Sequence, residues 1–348
     1  MEKIRIWGDV IPYNTGKIKK DDMVIRKVPK PVAMITWFKD IFGKQIAKDR
    51  SGLDTFTWLD EIQAGKVSER YDDVPTLVPY LVKSDTAVII APGGGFCNQS
   101  REAEGYRIAE YLNNRGITAF VLEYRMNPYQ APVCYLDMQR AIRYVRYHAE
   151  EYGLKKDRIG AMGFSAGGYV TGASAILLGN KSVEEVIEEY QPYGAGGYSA
   201  DETDGNQPIP AGGYQPDEVD QEDGRANFLG MIYPVVHFEG NPNMLAILAG
   251  KDFYDGTKRR ELMHRYSLID QLTADTVPQF LCFGDKDMIT GHKAYGERLQ
   301  SLQPASRVLE FYGAGHGFSL QMKQYAHWAD EFVKWVKNLD AESCKAGQ

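Results

Sequence analysis

The sequence predicts an α/β fold with a mostly parallel central sheet flanked by helices, and three observations lead to this prediction. From Thr86 onward, short apolar segments alternate with longer segments of helical periodicity. The first short segment, Ala87–Ala91, is apolar at every position, as expected of a parallel strand covered on both faces. Several predicted strands run directly into loops rich in Gly or Asp. Such alternation is typical of parallel sheets joined by right-handed crossovers.

The alternation predicts six strands and five helices along the chain. The strands share a short apolar core, and their predicted bounds are 87–91, 118–122, 158–162, 228–233, 279–283 and 308–312. The helices share an amphipathic pattern and are predicted at 103–114, 136–152, 166–178, 293–302 and 325–339. Gly116 and Gly153 mark the ends of the first two helices in this prediction, because Gly readily adopts the left-handed conformation found after a helix end.

The domain organisation predicted from this pattern is an N-terminal extension, residues 1–80, packed on a main domain over 81–340. Within the extension, 34–38 is a candidate strand and 59–64 a candidate short helix, and Trp7, Trp37 and Trp58 indicate apolar surface to bury. Two cap-like insertions interrupt the main domain at about 181–225 and 239–274. The first is rich in Tyr and acidic residues, which fits either a lid or sugar-contacting loop or a solvated surface loop.

Composition and charge exclude several classes of protein. The chain has 348 residues with 40 basic and 47 acidic side chains, a net charge of −7, and no basic patch suited to nucleic acid. Arg140, Arg143 and Arg146 fall together on one predicted helix and are interpreted as its solvated face, opposite the apolar stripe. No apolar run is long enough to span a membrane. The sequence therefore predicts neither a nucleic-acid partner nor a membrane partner.

Cysteine usage and the N-terminus predict no cofactor, no metal site and a cytoplasmic location. The four cysteines are far apart and show no C-x-x-C spacing, which argues against disulfides and zinc. The acidic stretch 201–205 has the composition of a calcium loop but not its spacing. The first residues lack the basic and apolar segments of a signal peptide, although a trimmed secreted protein would begin in the same way.

The candidate nucleophile is Ser165, in the sequence Gly163-Phe164-Ser165-Ala166-Gly167 after an apolar strand. In this G-x-S-x-G pattern the serine lies on a sharp turn between a strand and a helix, and its neighbours must be small because the two backbones approach closely. Five residues alone are weak evidence for a catalytic serine. The interpretation therefore depends on finding the other groups that acyl transfer requires.

The second group is a set of hydrogen-bond donors for an oxyanion. Gly93, Gly94 and Gly95 follow the strand 87–91 directly, and glycines allow backbone N–H groups to converge on a small anion. We assign this role to the backbone N–H groups of Gly94, Gly95 and Ala166. The alternative, a phosphate-binding loop, lacks the Walker lysine and the G-x-G-x-x-G spacing.

The base and the acid are both predicted in loops that follow strands. Among six histidines, His316 is the best candidate because it lies in a glycine-rich loop between the last strand and the last helix. His237 also follows a strand and is a candidate pocket residue. Asp287 is our first choice for the acid and Asp285 the second, since both follow the strand 279–283. The resulting chain order is serine, aspartate, histidine.

With these residues in place, the chain resembles the α/β-hydrolase superfamily over roughly residues 74–336, and more narrowly its acetylxylan esterases and related carbohydrate esterases. The resemblance rests on five stretches of sequence, 87–96, 121–125, 157–168, 232–236 and 315–318. It implies an α/β-hydrolase fold and a Ser165–Asp287–His316 triad. Pro92 stands where the hormone-sensitive-lipase-like branch has a histidine, and this departure implies short acyl groups on sugars as the substrate class.

The function predicted from these observations is a serine carboxylesterase that removes short acyl groups, acetyl foremost, from a carbohydrate or small ester. A prolyl-oligopeptidase-type peptidase shares the triad, but such enzymes usually carry an N-terminal propeller much longer than 80 residues. A non-catalytic binding protein on the same fold is the third hypothesis, and such proteins tend to lose a triad residue. The identity of the acyl group, the alcohol and the oligomeric state are not determined by the sequence.

Overall fold

A single eight-stranded sheet organises the protein. The computed structural model describes residues 2–14, 74–96, 99–126, 129–197, 214–250, 253 and 255–346. The strands lie in the order β1-β2-β4-β3-β5-β6-β7-β8. Their bounds are Ile4–Arg5 (β1), Thr76–Tyr80 (β2), Ala87–Ala91 (β3), Thr118–Glu123 (β4), Ile159–Phe164 (β5), Leu229–Ile232 (β6), Gln279–Gly284 (β7) and Arg307–Phe311 (β8). The pairs from β4 to β8 are parallel, whereas β1 and β2 pair antiparallel at one edge.

Helices cover both faces of the sheet. Their bounds are Arg107–Asn113 (α1), Val133–Tyr147 (α2), Ala166–Ala173 (α3), Val183–Gly197 (α4), Pro242–Ala249 (α5), Gly256–Arg265 (α6), His292–Leu302 (α7) and Trp328–Ala346 (α8). A π-helical turn precedes α1 at Glu102–Tyr106, and another follows α3 at Ser174–Leu178. Alternate residues of β3 enter two separate cores: Ile89 packs with α2 and α3, and Val88 and Ile90 pack with α1 and α8.

The fold class predicted from the sequence is confirmed, and each predicted strand lies within two residues of an observed one. The predicted helix bounds are less accurate. The helix predicted at 136–152 is observed at Val133–Tyr147, and the one predicted at 325–339 is observed at Trp328–Ala346. Two strands, β1 and β2, were missed because β1 has only two residues and β2 contains Pro79. Pro79 is tolerated because β1 pairs only with Thr76 and Leu77, so at Pro79 the strand has a neighbour on one side only.

The N-terminal residues that the structure describes are part of the sheet or packed closely against α2. Trp7 is 3% exposed and donates its indole N–H to Asp137 Oδ1 at 2.9 Å. Arg125 forms a fully buried ion pair with the same carboxylate at 2.6 Å. The candidate strand 34–38, the candidate helix 59–64, Trp37 and Trp58 lie outside the described residues, as does the acidic stretch 201–205.

The three arginines of α2 are buried, and the prediction that they form a solvated face is wrong. Arg140 and Arg143 are each 2% exposed and Arg146 is 5% exposed. Arg140 bonds Asp217 at 2.5 Å and Asp220 at 2.8 Å, and both aspartates lie near the end of the first insertion. The arginine side of α2 is therefore covered by the segment 217–225.

Backbone carbonyl groups are the main partners of the other two arginines. Arg143 donates to the carbonyl oxygens of Glu222 and Lys181, and Arg146 donates to those of Asp223 and Arg225. Helical periodicity detects apolar stripes, but it does not reveal a distant segment that offers carbonyl groups to a charged face. This is why the sequence reading failed here.

Replacing Arg140 with Ala is expected to lower the free energy of unfolding by about 2–3 kcal/mol, because Asp220 would keep its buried position without its cation. The side chain of Asp220 is only 5% exposed. Arg107 is the matched control, since it pairs with Glu102 on the surface and the two side chains are 50% and 47% exposed. Arg107→Ala should cost less than about 0.5 kcal/mol. Urea unfolding of the two variants compares them, and equal losses would contradict the prediction.

The two predicted insertions contain helices of their own. Helix α4 lies in the first and helices α5 and α6 lie in the second. No helix within the described ranges is long and apolar enough to cross a bilayer. The described side chains also contain no group of three or more His, Cys, Asp or Glu residues that could hold a metal ion.

Candidate active site

Ser165 lies at a tight turn between β5 and α3. Its backbone angles are φ 53° and ψ −119°, a left-handed conformation that is strained for a residue with a side chain. Close contacts explain the flanking glycines. A Cβ on Gly163 would lie 2.1 Å from the carbonyl oxygen of Gly167, and a Cβ on Gly167 would lie 2.1 Å from that of Ala91. Only glycine fits these two positions, as the G-x-S-x-G pattern predicts.

A continuous series of hydrogen bonds links Ser165, His316 and Asp287. The distance from His316 Nε2 to Ser165 Oγ is 2.8 Å. On the other side of the ring, His316 Nδ1 lies 2.8 Å from Asp287 Oδ1 and 3.0 Å from Oδ2. An ionised carboxylate only accepts, so Nδ1 carries the proton and Nε2 is left to accept from the serine hydroxyl. The Asp287 side chain is 1% exposed, whereas that of His316 is 24% exposed.

Asp285, the second choice for the acid, contacts a different part of the histidine loop. Its Oδ1 accepts from the backbone N–H of Gly313 at 2.6 Å, three residues before His316. The neighbouring backbone N–H of Lys286 donates to the carbonyl oxygen of Ala314 at 3.0 Å. The structure thus places Asp287 on the imidazole and Asp285 on the backbone of the loop that carries it.

The remaining histidines have other partners. His148, His264 and His327 contact Glu151, Asp270 and Phe311 respectively. His237 packs closely against Gly291, where a Cβ would lie 2.1 Å from its Cδ2.

His292, which the sequence reading did not single out, is 4% exposed and stacks on Phe283. Its Nε2 lies 2.7 Å from the carbonyl oxygen of Pro234. Burial lowers the pKa of His292 below its usual value, so at neutral pH this imidazole is an uncharged donor to that carbonyl.

The glycine-rich loop lies directly against the serine. A Cβ on Gly93 would be 2.9 Å from Ser165 Cβ, and the backbone N–H of Gly93 is already bonded to Glu104 Oε2 at 2.8 Å. Gly94 and Gly95 follow with φ of 143° and 65°, and Phe96 with φ of 62°. Ala166 is the first residue of α3, whose N-terminal N–H groups have no partner within the helix. The oxyanion role of these N–H groups stays a prediction.

Glu104 and Tyr233 complete the surroundings of the site and were both missed in the sequence. Glu104 Oε1 accepts from the Tyr233 hydroxyl at 2.8 Å. A signal for Glu104 was present: it stands four and eight residues before Ile108 and Leu112, so an acidic side chain occupies the apolar stripe of a predicted helix. Tyr233 gave no signal, because its contacts depend on tertiary packing alone.

The class of protein follows from the sheet and the turn together. A mostly parallel eight-stranded sheet in this order, with a serine at a strained strand-to-helix turn after β5, is the α/β-hydrolase architecture. The chain belongs to the α/β-hydrolase superfamily.

Comparisons with known proteins show which members of this superfamily the chain resembles. The BD-FAE family model matches residues 78–199. The acetylxylan esterase of Xylanibacter ruminicola is 35% identical over 265 residues, which cover 74% of this chain and 46% of that protein. The esterase LipC of Mycobacterium tuberculosis is 23% identical over 72% of this chain and 56% of its own length. The chain therefore spans about half the length of these curated relatives.

Among solved structures, the acetyl ester-xyloside bifunctional hydrolase of Caldicellulosiruptor lactoaceticus matches with a TM-score of 0.56 and 26% identity. The match covers 77% of this chain and 89% of that one. The propionate-bound esterase Est2 of Thermogutta terrifontis matches with a TM-score of 0.52 and 20% identity, over 79% and 90% of the two chains. At that identity the second match supports the fold alone. The named relatives in both comparisons are ester hydrolases.

Proposed function

We propose that the protein is a serine carboxylesterase that removes short acyl groups, acetyl foremost, from a carbohydrate or small ester. The observation that carries this proposal is the hydrogen-bonded series from Ser165 through His316 to Asp287 at a strained turn. A serine hydroxyl at the end of such a series has a base within reach and a carboxylate that orients the base. The predicted catalytic domain over about 81–340 contains all three residues.

The reaction would proceed in two halves through an acyl-enzyme. Ser165 Oγ attacks the ester carbonyl carbon while its proton passes to His316 Nε2, and the carbonyl oxygen becomes an oxyanion. The backbone N–H groups of Gly94, Gly95 and Ala166 would stabilise that charge. When the intermediate collapses, the C–O bond to the alcohol breaks and the alcohol oxygen takes the proton from Nε2.

Water completes the cycle by the same steps in the acyl-enzyme. It gives a proton to His316 Nε2 as its oxygen attacks the acyl carbon, and Ser165 Oγ then leaves and recovers that proton. Throughout both halves the buried carboxylate of Asp287 holds the imidazole and stabilises its charged form. The residues of the series therefore suffice for each proton transfer.

The substrate class rests on the relatives and on one position of the sequence. An acetylxylan esterase and an acetyl ester-xyloside hydrolase are among the similar proteins. Pro92, directly before the three glycines, is the residue that separates this chain from the hormone-sensitive-lipase-like branch. Both observations support acetyl groups on sugars, so an oligosaccharide ester is the proposed partner.

Covalent labelling combined with a substrate panel tests the proposal. A fluorophosphonate probe should label Ser165, which peptide mass spectrometry would locate. Acetate release from acetylated xylo-oligosaccharides should exceed hydrolysis of long-chain p-nitrophenyl esters when kcat/KM values are compared. Failure to label any serine would favour a binding protein, and cleavage of proline-containing peptides in preference to esters would favour a peptidase.

A further inference from the structure

Glu104 is a buried acidic residue between the glycine-rich loop and the wall behind His316. It is 8% exposed and lies in the π-helical turn before α1. One carboxylate oxygen accepts from the backbone N–H of Gly93 and the other accepts from the hydroxyl of Tyr233, each at 2.8 Å. Both bonds are buried, and burying an acidic side chain is costly unless its oxygens are bonded. The two bonds connect two separate parts of the site.

On the first side, the two peptide units that flank Gly93 are held by hydrogen bonds. In the unit before it, the Pro92 carbonyl accepts from the Tyr124 hydroxyl at 2.7 Å and the Gly93 N–H donates to Glu104. In the unit after it, the Gly93 carbonyl accepts from the N–H of Ser100 at 2.8 Å. A trans peptide is planar, so fixing that carbonyl also fixes the opposite direction for the N–H of Gly94.

This direction matters because Gly93 lies against the nucleophile. A Cβ on Gly93 would fall 2.8 Å from Glu104 Oε2 and 2.9 Å from Ser165 Cβ. The carboxylate and the serine therefore contact the same residue. The N–H of Gly93 is taken by Glu104, which leaves those of Gly94 and Gly95 as the groups assigned to the oxyanion. Loss of Glu104 would release the start of this loop.

On the second side, Tyr233 supports the base. Its side chain is fully buried, and its ring lies edge-on to the His316 imidazole with 5.1 Å between the centroids. The same ring contacts Phe318 at 4.8 Å. Burial first, and then the charge of Glu104, raises the pKa of the Tyr233 hydroxyl well above its ordinary value. The hydroxyl therefore keeps its proton and donates a hydrogen bond to Glu104.

We propose that Glu104 is a positioning residue that fixes the oxyanion loop through Gly93 and the wall behind His316 through Tyr233. This inference rests on the proposed esterase function. It assigns Glu104 no contact with substrate and no proton transfer. What it supplies is geometry, and an oxyanion hole depends on donors held in place before the charge develops. Removing Glu104 should therefore weaken the stabilisation of the transition state more than the binding of the ester.

Kinetics of four variants on p-nitrophenyl acetate test the proposal. Glu104→Ala should lower kcat about 100-fold, comparable with the loss of an oxyanion donor, while KM changes less than about threefold. Glu104→Gln keeps an acceptor for the N–H of Gly93, and its kcat should stay within about fivefold of the wild-type value. Tyr233→Phe should lower kcat about fivefold. The variant Glu104→Ala/Tyr233→Phe should have a kcat no lower than that of Glu104→Ala alone, because the two residues act as one unit.

A control variant separates positioning from loss of stability. Asp137 is another fully buried carboxylate, and its hydrogen bonds go to Trp7 and Arg125. Asp137→Asn should lower the melting temperature but leave kcat per folded molecule near wild type. The affinity for a trifluoromethyl ketone, which forms a charged adduct with the serine, should fall in Glu104→Ala in parallel with kcat/KM. In Asp137→Asn it should not fall.

Two outcomes would overturn the inference in different ways. If wild type hydrolyses the ester and Glu104→Ala keeps its kcat, the proposed function stands and the role of Glu104 is wrong. A fall in kcat that Glu104→Gln does not restore would also contradict a purely positional role. If wild type neither hydrolyses any ester nor reacts with the fluorophosphonate probe, the proposed function and this inference fail together.

Discussion

Replacing Ser165 with Ala is expected to lower kcat for p-nitrophenyl acetate by roughly 10⁵- to 10⁶-fold, the effect of removing the nucleophile of a serine hydrolase. The substitution removes the hydroxyl that we propose forms the acyl-enzyme, and His316 keeps its bond to Asp287. A trace of hydrolysis should persist, because the donors at the turn would still stabilise an oxyanion formed by water. Stopped-flow release of p-nitrophenol measures both the lost burst and the residual rate.

Ser174 offers a matched control on the π-helical turn that continues α3. Its hydroxyl is fully buried and has no hydrogen-bond partner in the part of the chain that the structure describes. Ser174→Ala should therefore leave kcat within about twofold of wild type and cost little stability. If Ser165→Ala retained wild-type activity in folded protein, the nucleophile would be another residue.

The second large effect is expected at Asp287. Asp287→Asn should lower kcat about 10⁴-fold, as in other serine triads, because an amide can donate to the imidazole and so favour the wrong tautomer. Both carboxylate oxygens of Asp287 lie within 3.0 Å of His316 Nδ1, so the substitution acts directly on the proposed base. The pH-independent limit of kcat is the quantity to compare.

Asp285→Asn is the comparison that decides between the two candidate acids. Its amide oxygen can still accept from the N–H of Gly313, so the loop that carries His316 keeps its anchor. We expect kcat of Asp285→Asn to fall by less than about tenfold. A larger loss in Asp285→Asn than in Asp287→Asn would reverse the assignment made from the geometry.

The fold could be predicted because its determinants are local. Strands buried on both faces need uninterrupted apolar runs, and helices that cover them need an apolar stripe, so β3 to β8 and five of the helices leave a periodic signal. The two N-terminal strands leave no such signal, because β1 is too short and β2 contains Pro79. The buried arginines of α2 were misread because their partners lie in distant segments: carboxylates for Arg140, and mainly backbone carbonyl groups for Arg143 and Arg146.

The candidate site was predictable where chemistry restricts the residue type. A nucleophile on a tight turn needs small neighbours, and a base near the sheet edge needs a loop after a strand, so Ser165 and His316 stand out. Asp287 and Asp285 both follow β7, and only the backbone course sends one to the imidazole and the other to Gly313. The apolar stripe of the predicted helix marks Glu104 as an unexpected acidic residue, but its partners Gly93 and Tyr233 lie in other segments and no local pattern encodes them.

The short segment from Ile232 to Val235 contacts both the proposed nucleophile and the proposed base. The carbonyl of Ile232 accepts from the N–H of Ser165, and the N–H of Val235 donates to the carbonyl of Ser165. Between them, Tyr233 contacts His316 and the carbonyl of Pro234 accepts from His292. The proposed nucleophile and the proposed base thus both contact one short piece of backbone, so we expect a displacement of this segment to move the two side chains together.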